Sequence, residues 1–182
     1  MHGLKKGILS FAESDPAWPR LFQEEKTRLL RGLDRQDLTL DHIGSTAVPG
    51  LIAKPVIDMA LLFRTPEELW QIATALPALG YHFRGPHTNV GHWYAVHDAN
   101  QTRLFQLHIF QEGCAAYRDH IDFRDALRSD PRQLKRYAEQ KLVWAEQSNW
   151  NKAVYSNCKA DFVREVIAEY RSGPGDFPGP LS

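Results

Sequence analysis

The stretch that decides the fold is His42-Ile43-Gly44-Ser45-Thr46-Ala47-Val48-Pro49-Gly50-Leu51-Ile52-Ala53-Lys54-Pro55-Val56-Ile57-Asp58. It joins one apolar strand to a second, residues 55–63, whose two alternating faces are both apolar except at Asp58. A carboxylate inside such a strand loses its hydration, which costs roughly several kcal/mol unless a metal, a base or hydrogen-bond donors replace the water. Asp58 therefore needs a polar partner, and we expect to find it at the Gly44-Ser45 turn.

Length and composition indicate an ordinary globular protein. The 182 residues are 43% hydrophobic and 24% charged, with 22 basic residues balanced by 22 acidic ones. A neutral chain has no general field to attract nucleic acid or an anionic membrane, so any affinity for phosphate must be local. Cys114 and Cys158 match no zinc or redox spacing, and we expect free thiols. Because no apolar run has the length of a signal peptide or a membrane span, we expect a cytoplasmic protein and no membrane partner.

The order of elements predicts an α+β fold with a mixed sheet. Alternating patterns predict five strands, at residues 38–43, 55–63, 81–84, 92–97 and 103–110. Helices are expected from Asp15-Pro16 to about Gly32, from the Thr65 capping box to Gly80, and through the C-terminal third. After Pro131 the helical stripe is expected to run through Leu134, Tyr137, Leu142 and Ala145. We expect one domain over residues 11–171 and a disordered Gly- and Pro-rich tail at 172–182.

The turn and the acid together suit metal-assisted phosphoryl chemistry. Gly44 allows close backbone approach, and the hydroxyls and amides of Ser45 and Thr46 can hold phosphate oxygens. Asp58 can then anchor a divalent cation, and Lys54 can add a positive charge between the two. The structural alternative is a buried aspartate that simply receives backbone hydrogen bonds.

The longer string resembles the signature of the GrpB family, and the resemblance covers roughly Phe11 to Tyr170. Other parts that carry it are Asp15-Pro16-Ala17-Trp18-Pro19, Leu107-His108-Ile109-Phe110, Phe123-Arg124-Asp125-Ala126-Leu127 and Tyr155 to Phe162. That family is similar in fold to the nucleotidyltransferase superfamily, whose pattern is a Gly-Ser turn, a strand with Asp-x-Asp or Asp-x-Glu, and a third acid on a later strand. The resemblance implies this fold, and it implies that Lys159, which matches a lysine typical of the family, reaches a ligand phosphate.

This chain departs from the superfamily pattern at both remaining acids. Ala60 occupies the second acidic position, on the same side of the strand as Asp58, and Gln106 and His108 stand where the third acid is expected. Two-metal chemistry is therefore not expected. A reduced site could work if His42 and His108 converge on Asp58, either to hold one metal ion or to supply a general base. The alternative is a His-Asp pair that merely fixes the strands.

The expected cofactor is Mg²⁺ bound at Asp58 and His108, with Zn²⁺ or Mn²⁺ as alternatives. Three other histidines, His87, His92 and His97, are five apart, which matches no common ligand spacing, and we expect them at the surface.

Two functions remain open at this stage. The first is a metal-dependent nucleotidyltransferase that uses Gly44 and Ser45 for phosphate and Asp58 for the metal. The second is a regulatory module that binds a nucleotide, coenzyme A or another phosphorylated small molecule without catalysis. Ala60 favours the second. Nucleic acid is not expected as a partner.

Overall fold

The computed structural model describes residues 2–5, 9–87, 90–151, 154–155 and 159–173. Within them, six strands form one mixed sheet and five helices flank it. The strands are β1 (Leu4–Lys5), β2 (Leu40–Ile43), β3 (Ile57–Phe63), β4 (Tyr81–Pro86), β5 (His92–Ala99) and β6 (Thr102–Gln111). The helices are α1 (Trp18–Gly32), α2 (Pro66–Ala75), α3 (Ala115–Ser129), α4 (Pro131–Gln147) and α5 (Ala160–Ser172). The expected α+β class with a mixed sheet is confirmed.

The sheet has the order β2-β3-β6-β5-β4, and β1 pairs with β6. β3 and β6 run parallel, and the other pairs are antiparallel. Register aligns Ile43 with Asp58 and Asp58 with Gln106 across neighbouring strands. Since side chains alternate along a strand, these residues share one face of the sheet, which we call the Asp58 face. Met59 and the residues paired with it on β2 and β6 lie on the opposite face, the Met59 face.

The two faces are covered by different helices. The Met59 face packs on α1 and α2 in a core that includes Trp18, Leu29, Met59, Leu107 and Ile72. On the Asp58 face, Ala116 of α3 packs with Ile43, Ala60 and Phe110. A third cluster joins α3, α4 and α5 through residues such as Leu127, Tyr137, Trp144, Phe162 and Val166. The Asp58 face of the sheet therefore lies toward the helical third.

Most expected elements are present, with shifts at their ends. Asp15 accepts a hydrogen bond from the Ala17 amide, and α1 itself begins at Trp18. Thr65 caps α2 through the Glu68 amide, and Gly80 ends the following 3₁₀ turn in the left-handed conformation. The β5–β6 hairpin closes on Asn100 and Gln101, both with positive φ, so both strands extend closer to the turn than the expected ranges 92–97 and 103–110.

Two expectations from the helical third are wrong. Leu142 is predicted to lie on the buried stripe of α4, but it is 45% exposed. The buried residue at this place is its neighbour Lys141, which is 2% exposed. Ser172 is the last residue of α5 rather than part of a tail. Residues 174–182 and Cys158 lie outside the described residues. Among those that are described, no helix combines the length and the apolarity that crossing a membrane requires.

Candidate functional site

Asp58 and Gly44 lie in direct contact at the centre of the site. Gly44 follows β2 with φ of +70°, and a Cβ added there would lie 2.5 Å from Asp58 Oδ2. Glycine is therefore required at position 44 for two reasons: the backbone is left-handed there, and a side chain would have no space beside the carboxylate. The turn continues into a 3₁₀ turn at Ser45–Ala47. The expected proximity of Asp58 and the Gly44-Ser45 turn is thus a feature of the structure.

A chain of hydrogen bonds orients Asp58 from the neighbouring strands. Gln106 Nε2 donates to Asp58 Oδ1, and Tyr94 Oη donates to Gln106 Oε1 at 2.5 Å. Because the Gln106 oxygen receives the tyrosine proton, its amide nitrogen is the group that faces the carboxylate. Burial raises the pKa of Asp58, and the Gln106 bond and the charges of Lys159 and Lys54 lower it by less. Desolvation therefore outweighs the polar partners.

Lys141 is a member of the site that the sequence analysis missed. Its Nζ donates to Ser45 Oγ at 3.0 Å and to the Ile52 carbonyl at 2.5 Å. Nζ also lies 5.1 Å and 5.2 Å from the ring centroids of Phe11 and Tyr137, over which a cation is stabilised. The sequence offers one indication of this role: Lys141 follows Tyr137 by four residues and precedes Trp144 by three, so it falls within the apolar stripe of α4.

Asp58 interacts electrostatically with three lysines, Lys54, Lys141 and Lys159. Burial lowers the pKa of Lys141 well below its usual range, and the charges of Lys159 and Lys54 lower it further, whereas Asp58 raises it. Lys54 Nζ also lies 4.6 Å from the ring centroid of Tyr155. Gly44, Ser45, Asp58, Lys141 and Lys159 are called the Ser45 site below.

His42 does not belong to this site, and the expectation that it converges on Asp58 is wrong. In the β2–β3 register His42 pairs with Met59, so its ring lies on the Met59 face and stacks on Phe22 at 4.8 Å. Thr46 is engaged on the same side: its hydroxyl lies 3.0 Å from His42 Nε2 and donates to the Val56 carbonyl. These bonds fix the turn and leave the Thr46 hydroxyl no position toward a phosphate.

His108 lies on the Asp58 face but belongs to a cluster of histidines. His108 Nδ1 is 2.9 Å from His92 Nε2, and ring centroids of His87 and His120 lie within 6.2 Å of His108. His92 is 2% exposed, so its expected place at the surface is wrong. Burial, followed by the charges of neighbouring histidines, holds the pKa of His108 well below its usual range. We conclude that the ring of His108 is neutral near pH 7.

The donors around Asp58 do not fit a metal ion held by the protein alone. Ala60 is fully buried in the apolar cluster with Ile43 and Phe110, so the second carboxylate position is closed. Gln106 presents an N–H donor to Asp58, and His108 Nδ1 faces His92. Throughout the described ranges, no three histidine, cysteine or acidic side chains are grouped to hold a metal. Mg²⁺ here would depend on phosphate oxygens of a ligand. The expected metal stays a prediction.

Comparison with known proteins identifies relatives over most of the chain. A family model described as "GrpB protein" matches residues 9–169. The UPF0157 protein YqkA of Bacillus subtilis is 35% identical over 167 residues, which are 90% of this chain and 48% of YqkA. The chain thus spans about half the length of that relative. A dephospho-CoA kinase of Mycobacterium tuberculosis is 37% identical over 71 residues, which are 37% of this chain and 17% of the kinase.

Solved structures share the fold. GrpB from Enterococcus faecalis superposes with a TM-score of 0.80 at 27% identity, covering 90% of this chain and 98% of that one. The Cid1 poly(U) polymerase gives a TM-score of 0.52 at 17% identity, covering 75% of this chain and 44% of the polymerase. The second likeness establishes a nucleotidyltransferase-like fold and nothing about activity.

Proposed function

Because this chain belongs to the GrpB family, we propose that it binds the phosphate of a nucleotide, coenzyme A or another phosphorylated small molecule at the Ser45 site, without a divalent metal. The observation that carries the proposal is Lys141. An ammonium group that is 2% exposed has lost nearly all of its hydration. Burying it beside two further lysines is costly unless an anion compensates.

The contacts of Lys141 can hold an ammonium when an anion is bound nearby. Two acceptors, Ser45 Oγ and the Ile52 carbonyl, and two aromatic rings surround Nζ. These groups stabilise positive charge, against the burial that lowers the pKa. The charges of Lys159 and Lys54 oppose the charged form of Lys141, and that of Asp58 favours it. A phosphate dianion would favour the charged form further and would accept from the Ser45 hydroxyl and the turn.

Phosphate binding should therefore depend on pH through Lys141. Its pKa is lowered in the free protein, and an anion at the site favours the charged amine. Binding is then coupled to proton uptake, and affinity falls as pH rises through the pKa of Lys141.

Nucleotidyl transfer is the second candidate, and Asp58 is the observation in its favour. A carboxyl with a raised pKa beside a Gly-Ser turn is a group that a cation would stabilise. The closed position at Ala60 argues against it. The dephospho-CoA kinase match supports including coenzyme A among the ligands tested.

Thermal unfolding with added ligand distinguishes the two functions. Inorganic phosphate, ATP and coenzyme A are each added with and without Mg²⁺. A ligand present at about 100 times its Kd stabilises the folded state by about 2.7 kcal/mol. We expect stabilisation by ATP or coenzyme A without metal, lost in Ser45→Ala and Lys141→Met, each compared with its own ligand-free state.

Lys135→Met is the matched control, since Lys135 lies on the same helix with a side chain 77% exposed, and it should keep the ligand effect. Stabilisation that requires both a triphosphate and Mg²⁺ would support the transferase instead. If none of the ligands stabilises the protein, the proposed function is wrong.

A further inference from the structure

A second feature of the molecule has no role at the Ser45 site. A cleft of about 430 Å³ lies at the edge of the sheet between α1 and α3, and its lining includes Arg20, Lys26, Leu40, His42, Arg124 and Arg128. We call it the β2 groove. No residue of the Ser45 site lines it.

The floor of the β2 groove is the edge strand β2. Among the described strands, β2 pairs with β3 and forms one end of the sheet. The carbonyls of Leu40 and His42 accept hydrogen bonds from Lys26 Nζ at 2.8 Å and Arg124 Nη1 at 3.0 Å. In an antiparallel pair the N–H and C=O of one residue point to the same side. The backbone groups of Leu40 and His42 are therefore directed outward, into the groove.

Cations line both rims of the groove. Arg20 and Lys26 come from α1, and Arg124 and Arg128 lie one turn apart on α3. Neighbouring acids compensate part of this charge. Glu24 pairs with Arg20, Asp125 with Arg124, and Asp41 lines the groove, so four cations face three carboxylates.

The two arginines on α3 have one carboxylate between them, and Arg128 also donates to the Ala47 carbonyl through Nε at 2.9 Å and Nη2 at 2.7 Å. Arg128 and Arg124 are like charges at i and i+4, which destabilises a helix. They share Asp125, at 2.7 Å from Arg124 Nε and 3.7 Å from Arg128 Nη1. Burial and the charge of Arg124 lower the pKa of Arg128. An added carboxylate at this rim would relieve the repulsion.

We propose that the β2 groove binds an extended acidic peptide segment of a partner protein, which adds to the sheet as a strand beside β2. Side chains of an added strand point alternately to the two sides of the sheet. Acidic residues on one side would meet Arg20 and Lys26, and those on the other would meet Arg124 and Arg128. A small anion would use one rim and leave the strand edge without a partner.

The existing hydrogen bonds are compatible with an added strand. A carbonyl oxygen has two lone pairs, so Leu40 and His42 can accept from a peptide amide while Lys26 and Arg124 turn toward acidic side chains. Cationic side chains over a free edge also protect it from pairing with other chains. The groove therefore selects against apolar and basic strands and admits an acidic one.

Fluorescence anisotropy with labelled peptides tests this proposal. The probe is a peptide of repeated Glu-Glu-Val-Val, which places acidic side chains on both sides of an extended strand. It is compared with repeated Lys-Lys-Val-Val and with the acidic peptide interrupted by proline. We expect binding of the uninterrupted acidic peptide, no binding of the basic one, and at least about tenfold weaker binding of the proline form, which lacks backbone donors. Affinity should fall as salt shortens the Debye length from about 30 to 3 Å.

Variants and hydrogen exchange locate the site. The double variant Arg20→Gln with Arg128→Gln should weaken peptide binding about tenfold, whereas Arg132→Gln, an exposed arginine paired with Asp130, should not. In the wild-type protein, bound peptide should slow amide exchange at Leu40 and His42. This second measurement decides the question if the double variant is unstable.

Three outcomes overturn the proposal. The first is the absence of acidic-peptide binding at millimolar concentration. The second is equal binding of the proline-interrupted peptide without protection of Leu40 and His42, which would indicate a general charge effect. The third is full displacement of the peptide by an equal concentration of inorganic phosphate, which would indicate a small-anion site.

Discussion

At the scale of single residues, the contact between Gly44 and Asp58 leaves no room for a side chain at position 44. A Cβ on Gly44 would meet the carboxylate at 2.5 Å, and the backbone is held at φ of +70°. The sequence predicted that Asp58, an acid in an apolar strand, has a polar partner at the Gly44-Ser45 turn. The left-handed backbone of Gly44 and its contact with the carboxylate are known only from the structure.

Gly44→Ala should therefore lower the free energy of unfolding by more than backbone strain alone. Strain at a left-handed position costs about 1–2 kcal/mol, and displacement of Asp58 adds to it. Gly50→Ala is the control, because Gly50 has φ of +80° and no atom within 4 Å of an added Cβ. Urea unfolding of both variants gives the comparison. Equal losses would show that the carboxylate tolerates the methyl group.

The buried histidines make the protein sensitive to acid. Burial, followed by the charges of His87 and His120, lowers the pKa of His92 to about 3. An unfolded histidine titrates near 6.5, so between pH 6.5 and 3 the unfolded state binds more protons than the folded one. The contribution of neutral His92 to stability is fully present above pH 6.5, and it is lost as the pH falls from 6.5 toward 3.

His92→Phe should reduce this pH dependence by up to about 1.4 kcal/mol per pH unit. The measurement is the free energy of unfolding in urea between neutral pH and about pH 4. His82→Phe serves as the control, since the side chain of His82 is exposed. An unchanged slope for His92→Phe would mean that His92 takes up its proton in the folded state.

At the scale of elements, strand pairing separates residues that a linear pattern could not. His42 and Asp58 lie on different strands, and their faces can be compared only when the register is known. The register pairs Ile43 with Asp58, and it therefore turns His42 to the opposite face. Within a single strand the alternation sufficed: Asp58 and Ala60 share a face, as do Gln106 and His108.

The packing of α1 against β4 involves a buried carboxylate, Glu25, that hydrophobic periodicity could not reveal. Glu25 is 5% exposed and accepts from Tyr81 Oη at 2.7 Å, beside Arg28. Tyr81→Phe should lower the free energy of unfolding by about 1–3 kcal/mol, because a buried charged acceptor loses a donor.

Tyr117→Phe is the matched control, measured in the same thermal or urea unfolding experiment. Tyr117 donates to Asp41 at 2.7 Å, and neither residue is fully buried. Water can replace this bond, so the loss should be smaller. A larger loss for Tyr117 would contradict the importance assigned to burial.

At the scale of the whole molecule, the sequence predicted the sheet and the helices better than the site. Strands and caps depend on local patterns, such as the Thr65 capping box and the Gly80 terminator. The site depends on which distant side chains the fold brings together. Lys141 lies 96 positions from Ser45 in the sequence. The periodicity of α4 predicts Leu142 on the buried stripe, whereas the buried residue is Lys141.

The histidine cluster could not be predicted from the sequence for the same reason. His87, His92, His108 and His120 come from the β4–β5 connection, β5, β6 and α3, and no spacing along the chain relates them. Asp58, by contrast, was identified from its own strand, because the mismatch between a carboxylate and its apolar neighbours is local.

The central claim is that the Ser45 site binds phosphate without a metal, and Asp58→Asn tests it most directly. Calorimetric titration with ATP or coenzyme A in a chelating buffer compares the wild type, Asp58→Asn and Lys141→Met. Removing a negative charge from a cationic site should leave the affinity unchanged or raise it several-fold, while Lys141→Met should abolish binding. Loss of binding in Asp58→Asn, or wild-type binding that appears only after Mg²⁺ is added, would contradict the claim.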